Sequence, residues 1–96
     1  MTRTVYLVMG SCGEFDCYEE WPVKVFTRED DALAFLKKAT DRASEVVKAG
    51  AGLDWTEKMA VYQKNELDPH MQTYRDEVPE YGYTEIELEE SHGTTH

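Results

Sequence analysis

Tyr83-Thr-Glu-Ile-Glu-Leu-Glu89 alternates acidic side chains with Thr84, Ile86 and Leu88, and that period of two predicts a β-strand. Successive side chains of a strand point to opposite faces, so Ile86 and Leu88 are expected to face a core. Glu85, Glu87 and Glu89 then form a row on the solvent face, spaced roughly 6.7 Å apart. Such a strand needs partners, and the first half of the chain supplies two. Residues 4–9 (TVYLVM) are a continuous apolar run stopped by Gly10 and Gly13, which predicts a central strand. In residues 18–26, Trp21, Val23 and Val25 alternate with Pro22 and Lys24. Pro22 cannot donate to a ladder, so this second strand is expected at an edge or with a bulge. The acidic connection over residues 10–17 is too long for a two-residue turn and predicts a projecting loop.

Helical periodicity follows. Thr27 reads as an N-cap, with Glu29, Asp30 and Asp31 complementing the positive end of the helix dipole. Ala32, Leu33, Leu36, Ala39, Ala43, Val46 and Val47 recur at helical spacing up to Gly50, predicting a helix over residues 28–49. Leu33, Leu36, Ala43 and Val47 are expected to pack on Val5 or Tyr6, Val23 or Val25, and Ile86 with Leu88. A shorter helix is predicted over residues 55–64, with Trp55, Met59 and Tyr62 on one face, before Leu67-Asp68-Pro69 breaks it. The expected architecture is α+β: a three-stranded antiparallel sheet with one long helix packed on a face and a shorter second helix, in the order ββααβ. Residues 1–91 are expected to form a single small domain and residues 92–96 a frayed tail.

Ninety-six residues suffice for one thin core, burying about 60 to 65 % of the surface an unfolded chain exposes. The net charge of −10 is uneven: residues 1–50 carry −2 and residues 51–96 carry −8. Residues 76–90 hold seven carboxylates and no lysine or arginine. A field of that sign repels nucleic-acid phosphates and anionic membranes, so no direct nucleic-acid or membrane partner is expected and a basic partner is. No run approaches the roughly 18 apolar residues of a membrane span, and the two cysteines fit a reducing compartment, so a cytoplasmic location is expected.

Chemistry-bearing motifs are weak. Cys12 and Cys17 lack the tight paired spacing of zinc sites, and Glu14, Asp16, Glu19 and Glu20 oppose thiolate formation. Gly10-Ser-Cys-Gly13 is followed by acids rather than by the Lys-Ser/Thr of a phosphate loop, and reads as turn glycines between strands. No nucleophile, base and oxyanion donor assemble, so no catalytic residue, metal ligand or cofactor is assigned and the chain is expected not to be an enzyme. The candidate binding residues are the carboxylates Glu85, Glu87, Glu89, Asp76, Glu77 and Glu80, with Trp55 and Tyr74 as aromatic anchors.

VYLVMG, then GEF-D-CYEEW with VKVFTREDDALAFLKKA, then ELDP and the closing Y-x-Y-x-E-x-E-L-E resemble a group of small bacteriophage-encoded proteins of unknown function. In that group a strand ends in a G-E-Y/F pattern, a second strand follows, and a helix opens on an acidic cap. Cys17 departs from the pattern. The resemblance implies a phage or prophage origin and carries no catalytic residue. Together these readings predict a non-enzymatic acidic protein that acts on a basic host protein surface as an inhibitor or modulator, for instance by mimicking nucleic acid. The competing expectations are a homo-oligomeric (for example homodimeric) structural module paired through strand edges and, third, a small carboxylate-dependent enzyme.

Overall fold

The computed structural model describes residues 2–73 and 75–89. Its elements are β1 (Thr2–Cys12), β2 (Glu19–Phe26), α1 (Glu29–Gly50), α2 (Trp55–Tyr62) and β3 (Glu80–Glu89). The expected ββααβ order is the observed one. β1 is the central strand, antiparallel to both neighbours in a sheet ordered β2-β1-β3. The register of β1 with β2 slips between Val8 and Met9, opposite Pro22, so the proline does occupy an edge strand beside an irregularity.

One face of the sheet carries both helices. Val8, Ala32, Phe35 and Ala39 form one buried cluster, closed by Tyr6, Phe26, Tyr81 and Tyr83. Trp21, Ala43, Val46, Val47, Tyr62 and Met71 form the other. α1 buries Ala32, Phe35, Ala39, Ala43, Val46, Val47 and Gly50. The small alanines let its axis approach the sheet while Phe35 fills the space between, so Leu33 is left outside at 47 % exposure. The helix starts one residue later than predicted. Its N-cap is Arg28, without a side-chain cap bond, and Thr27 does not cap it. Asp54 caps α2, accepting from the backbone N–H of Glu57 at 2.9 Å.

A buried polar knot joins the strands to the chain between α2 and β3. Asp68 is 1 % exposed, and its Oδ2 accepts from Trp21 Nε1–H at 2.9 Å and from the Tyr81 hydroxyl at 2.7 Å. Asn65, wholly buried, turns the chain there by accepting from the backbone N–H groups of Leu67 and Asp68, each at 3.0 Å. Burial, and then the Asp68 carboxylate, push the Tyr81 phenol well above its ordinary value.

Of the two predicted turn glycines, Gly13 is one, at φ +87° between β1 and β2, and Gly10 is not. Gly10 lies inside β1, and a Cβ there would sit 2.6 Å from the Trp21 ring. The indole reaches Asp68 across that bare backbone.

The parity of β3 is the reverse of the expectation. Val8 pairs with Tyr83 and Tyr6 with Glu85, and directly paired residues share a face. Tyr81, Tyr83, Glu85, Glu87 and Glu89 are therefore on the helix side, while Ile86 and Leu88 look out from the opposite face. The two tyrosines decide this. Each offers more apolar area than Ile or Leu, and each hydroxyl finds an acceptor on the helix side: Tyr81 on Asp68, Tyr83 on Glu29 Oε2 at 2.7 Å.

Candidate functional site

Alternation along β3 places the predicted site residues at two ends of the sheet. Glu80 opens the strand opposite Ser11 and Glu89 closes it opposite Thr2, roughly 30 Å away at about 3.4 Å per residue. Glu85, Glu87 and Glu89 are exposed, as expected. They owe this to the helix beginning at Glu29 beside Tyr83, which leaves the strand end beyond it uncovered. Like charge is dense there. Burial raises the Tyr6 phenol above its ordinary value, and Glu85 and Glu29 add to the shift.

Asp76 is already engaged. Lys58 Nζ donates to its two carboxylate oxygens at 2.8 and 2.9 Å, and the Tyr62 hydroxyl donates at 3.3 Å. Those bonds, the lysine's first, hold the Asp76 carboxyl below its usual range and raise the Lys58 ammonium. Asp76 thus ties the chain after α2 to that helix. Tyr74 lies outside the described residues.

Glu77 and Glu80 do come together, with Glu14, around a cleft of ≈ 150 Å³ that Ser11, Gly13 and Tyr18 help to line. Among the described residues no group of three or more His, Cys, Asp or Glu is placed to hold a metal ion. Three carboxylates thus line one cleft, Glu14 from the loop after β1, Glu77 from the chain before β3 and Glu80 from its start.

Trp55 is 71 % exposed at the first position of α2. It shares a depression of ≈ 520 Å³ with Cys12, Asp16, Cys17, Glu19, Gln72 and Thr73. The loop facing it is built with care. Gly13 adopts φ +87°, and a Cβ there would lie 1.9 Å from the Cys17 carbonyl oxygen, so only glycine permits the tight return. Residues Phe15–Cys17 form one 3₁₀ turn, closed by the Cys17 N–H on the Glu14 carbonyl at 2.9 Å. Phe15 has φ 49° and is 94 % exposed. A bulky residue in the left-handed region costs on the order of 1–3 kcal/mol, and this one gains no burial in return. Tyr18, 52 % exposed, completes an aromatic tip rimmed by Glu14, Asp16, Glu19 and Glu20.

Phe15 was not singled out from the sequence. The available signal was an aromatic between acids, Glu14-Phe15-Asp16, within a glycine-bounded turn. The cysteines are both free, Cys12 half-buried and Cys17 exposed. Burial and then Glu19 push the Cys12 thiol up, in the direction expected from the surrounding acids.

The class defined by these features is an α+β domain, ββααβ, with a net charge of −10 and an aromatic, acid-rimmed tip. Comparison with protein-family models, with characterised proteins and with solved structures finds no match, so a functional reading rests on the fold and its side chains.

Proposed function

We infer that the chain is a non-enzymatic binding protein that recognises a basic protein surface inside a bacterial cell, inserting Phe15 and Trp55 as anchors while the surrounding carboxylates meet the partner's lysines and arginines. The observation that carries this reading is Phe15: a strained, 94 % exposed aromatic on a turn that glycine alone allows. Aromatic anchors supply most of the energy of protein interfaces, and a charged rim supplies steering and partner choice. Among the described residues no helix is long and apolar enough to cross a membrane. A cytoplasmic setting and a phage or prophage origin belong to the same proposal, and blocking a host enzyme at its nucleic-acid groove is the role they fit.

The test is capture from bacterial lysate with the parent and a Phe15→Ala/Trp55→Ala variant. The parent is expected to retain a defined basic protein at low salt and release it as salt rises, and the variant, equally folded by circular dichroism, to retain at least tenfold less. Equal retention by both, or none by the parent, overturns the reading.

A further inference from the structure

The two depressions near the tip are lined by acids, and a third, of ≈ 330 Å³, is lined by lysines. It lies between the edge strand β2 and α1. Lys24 pairs with Val8, so its side chain is on the helix side of the sheet, as is that of Phe26, paired with Tyr6. Along α1, Asp31, Ala34, Phe35 and Lys38 recur at spacings of three and four residues, which one helical face brings together. Leu67, from the chain after α2, completes the wall.

The charge of this depression runs against that of the molecule. Lys24 Nζ stands 5.3 Å from the centroid of the Phe26 ring and 5.7 Å from that of Phe35, and the two rings are themselves 5.3 Å apart. The cation–π contact holds the ammonium beside an apolar floor without neutralising it. Lys37, on the same helix, is paired with Asp41 at 3.0 Å. Among the described residues Lys24 and Lys38 have no carboxylate within ion-pairing distance, in a chain with twenty acids against ten bases. Two lysines against Asp31 give the wall a net charge of +1.

We propose that this depression binds a small aromatic monocarboxylate, its carboxylate held by Lys24 and Lys38 and its ring laid against Phe26, Ala34 and Leu67 over the edge of Phe35. A net charge of +1 matches one carboxylate, and the −10 of the whole molecule repels phosphates and other more highly charged anions. The volume falls at the lower end of small-molecule sites, about 300–1,000 Å³, and an apolar lining with a few charged groups is their usual make-up. The aromatic pair Phe26 and Phe35 offers a further ring an edge-on or offset contact. Ala34 keeps the floor open, since its methyl group stands where a longer side chain would fill the space. No lining residue is shared with the Trp55 depression, so the site is independent of the reading centred on the tip.

Amide-shift titration of the full chain tests this, with hydrocinnamate as the probe and with hydrocinnamyl alcohol and inorganic phosphate beside it. Hydrocinnamate should give saturable shifts at Lys24, Phe26, Ala34 and Lys38, with a Kd of about 1 mM or tighter. The neutral alcohol and phosphate should each bind at least tenfold more weakly. Lys24→Gln/Lys38→Gln, which alters two exposed positions, should lose at least tenfold in hydrocinnamate affinity, and Ala34→Leu, which fills the floor with a good helix former, should abolish the shifts. The comparison of acid with alcohol in the parent keeps the test independent of the variants. No saturable shift, equal binding of the alcohol or of phosphate, or shifts centred on Trp55 overturn the proposal, as does a folded lysine variant that binds like the parent. A short peptide ending in phenylalanine that binds at least tenfold more tightly than hydrocinnamate would assign the depression to a protein terminus and overturn it as well.

Discussion

Asp68 concentrates at one residue what holds this thin core in register. Its buried Oδ2 takes two hydrogen bonds, from β2 through Trp21 and from β3 through Tyr81, while Oδ1 has no partner. The two donors lie in different outer strands, so one carboxylate fixes both edges against the connection that follows α2. Replacing it with alanine strands the indole N–H and the tyrosine hydroxyl. A buried donor without an acceptor costs about 1–3 kcal/mol, so Asp68→Ala is expected to lose about 2–4 kcal/mol in urea unfolding, with a changed Trp21 emission. A loss below about 1 kcal/mol would mean that water replaces the carboxylate at no cost.

Among the elements, strand order and helix order were legible because alternation and helical spacing report which face of each segment is apolar. What periodicity does not carry is which face of β3 meets the helix. Ile86 and Leu88 outrank the glutamates by hydropathy, but the choice was made two turns of the pleat earlier, by Tyr81 and Tyr83, whose buried area and hydroxyl partners lie on the glutamate parity. A strand has only two settings, and one-residue error inverts every side chain. Leu33 failed similarly: the apolar stripe of α1 is wide, and packing against the sheet, absent from the sequence, centres it on Ala32, Phe35 and Ala39. Of the candidate site, Trp55, Glu77 and Glu80 were legible as surface residues. Phe15 was hidden because its significance is conformational. The engagement of Asp76 was hidden for a related reason: its partner, Lys58, lies 18 residues earlier, on α2. That pair gives the element-scale prediction. The folded state lowers the Asp76 value, so its stabilisation is complete above about pH 3.9 and is lost as pH falls through the lower folded value. The raised Lys58 value gives the mirror image, complete below about pH 10.4 and lost as pH rises through the higher folded value. Asp76→Asn is therefore expected to be less stable than the parent by a constant margin between about pH 5 and 9, narrowing as both are taken to about pH 2 in chemical denaturation. A margin unchanged at that pH assigns the loss to packing.

At the scale of the whole molecule, the separation of the acidic row from the aromatic tip changes what the row can do. Counting along β3 at about 3.4 Å per residue, Glu85 to Glu89 lie roughly 17–30 Å from Glu80 at the tip. The Debye length is about 8 Å at physiological ionic strength and about 30 Å at 0.01 M. A partner seated on Phe15 and Trp55 then feels the row strongly in dilute salt and little in the cell, apart from its effect on encounter. Replacing Glu85, Glu87 and Glu89 together with Gln is expected to leave the fold intact, since exposed charges are worth at most about 1 kcal/mol each and like charges are being removed. Association at 0.01 M salt should slow several-fold, whereas affinity at 0.15 M should change less than about threefold. A loss at 0.15 M as large as that of Phe15→Ala would place the contact at the row, and the reading centred on the tip would fall. If the association rate at low salt is unchanged, the row serves solubility alone, and the −8 net charge of residues 51–96 steers nothing through it.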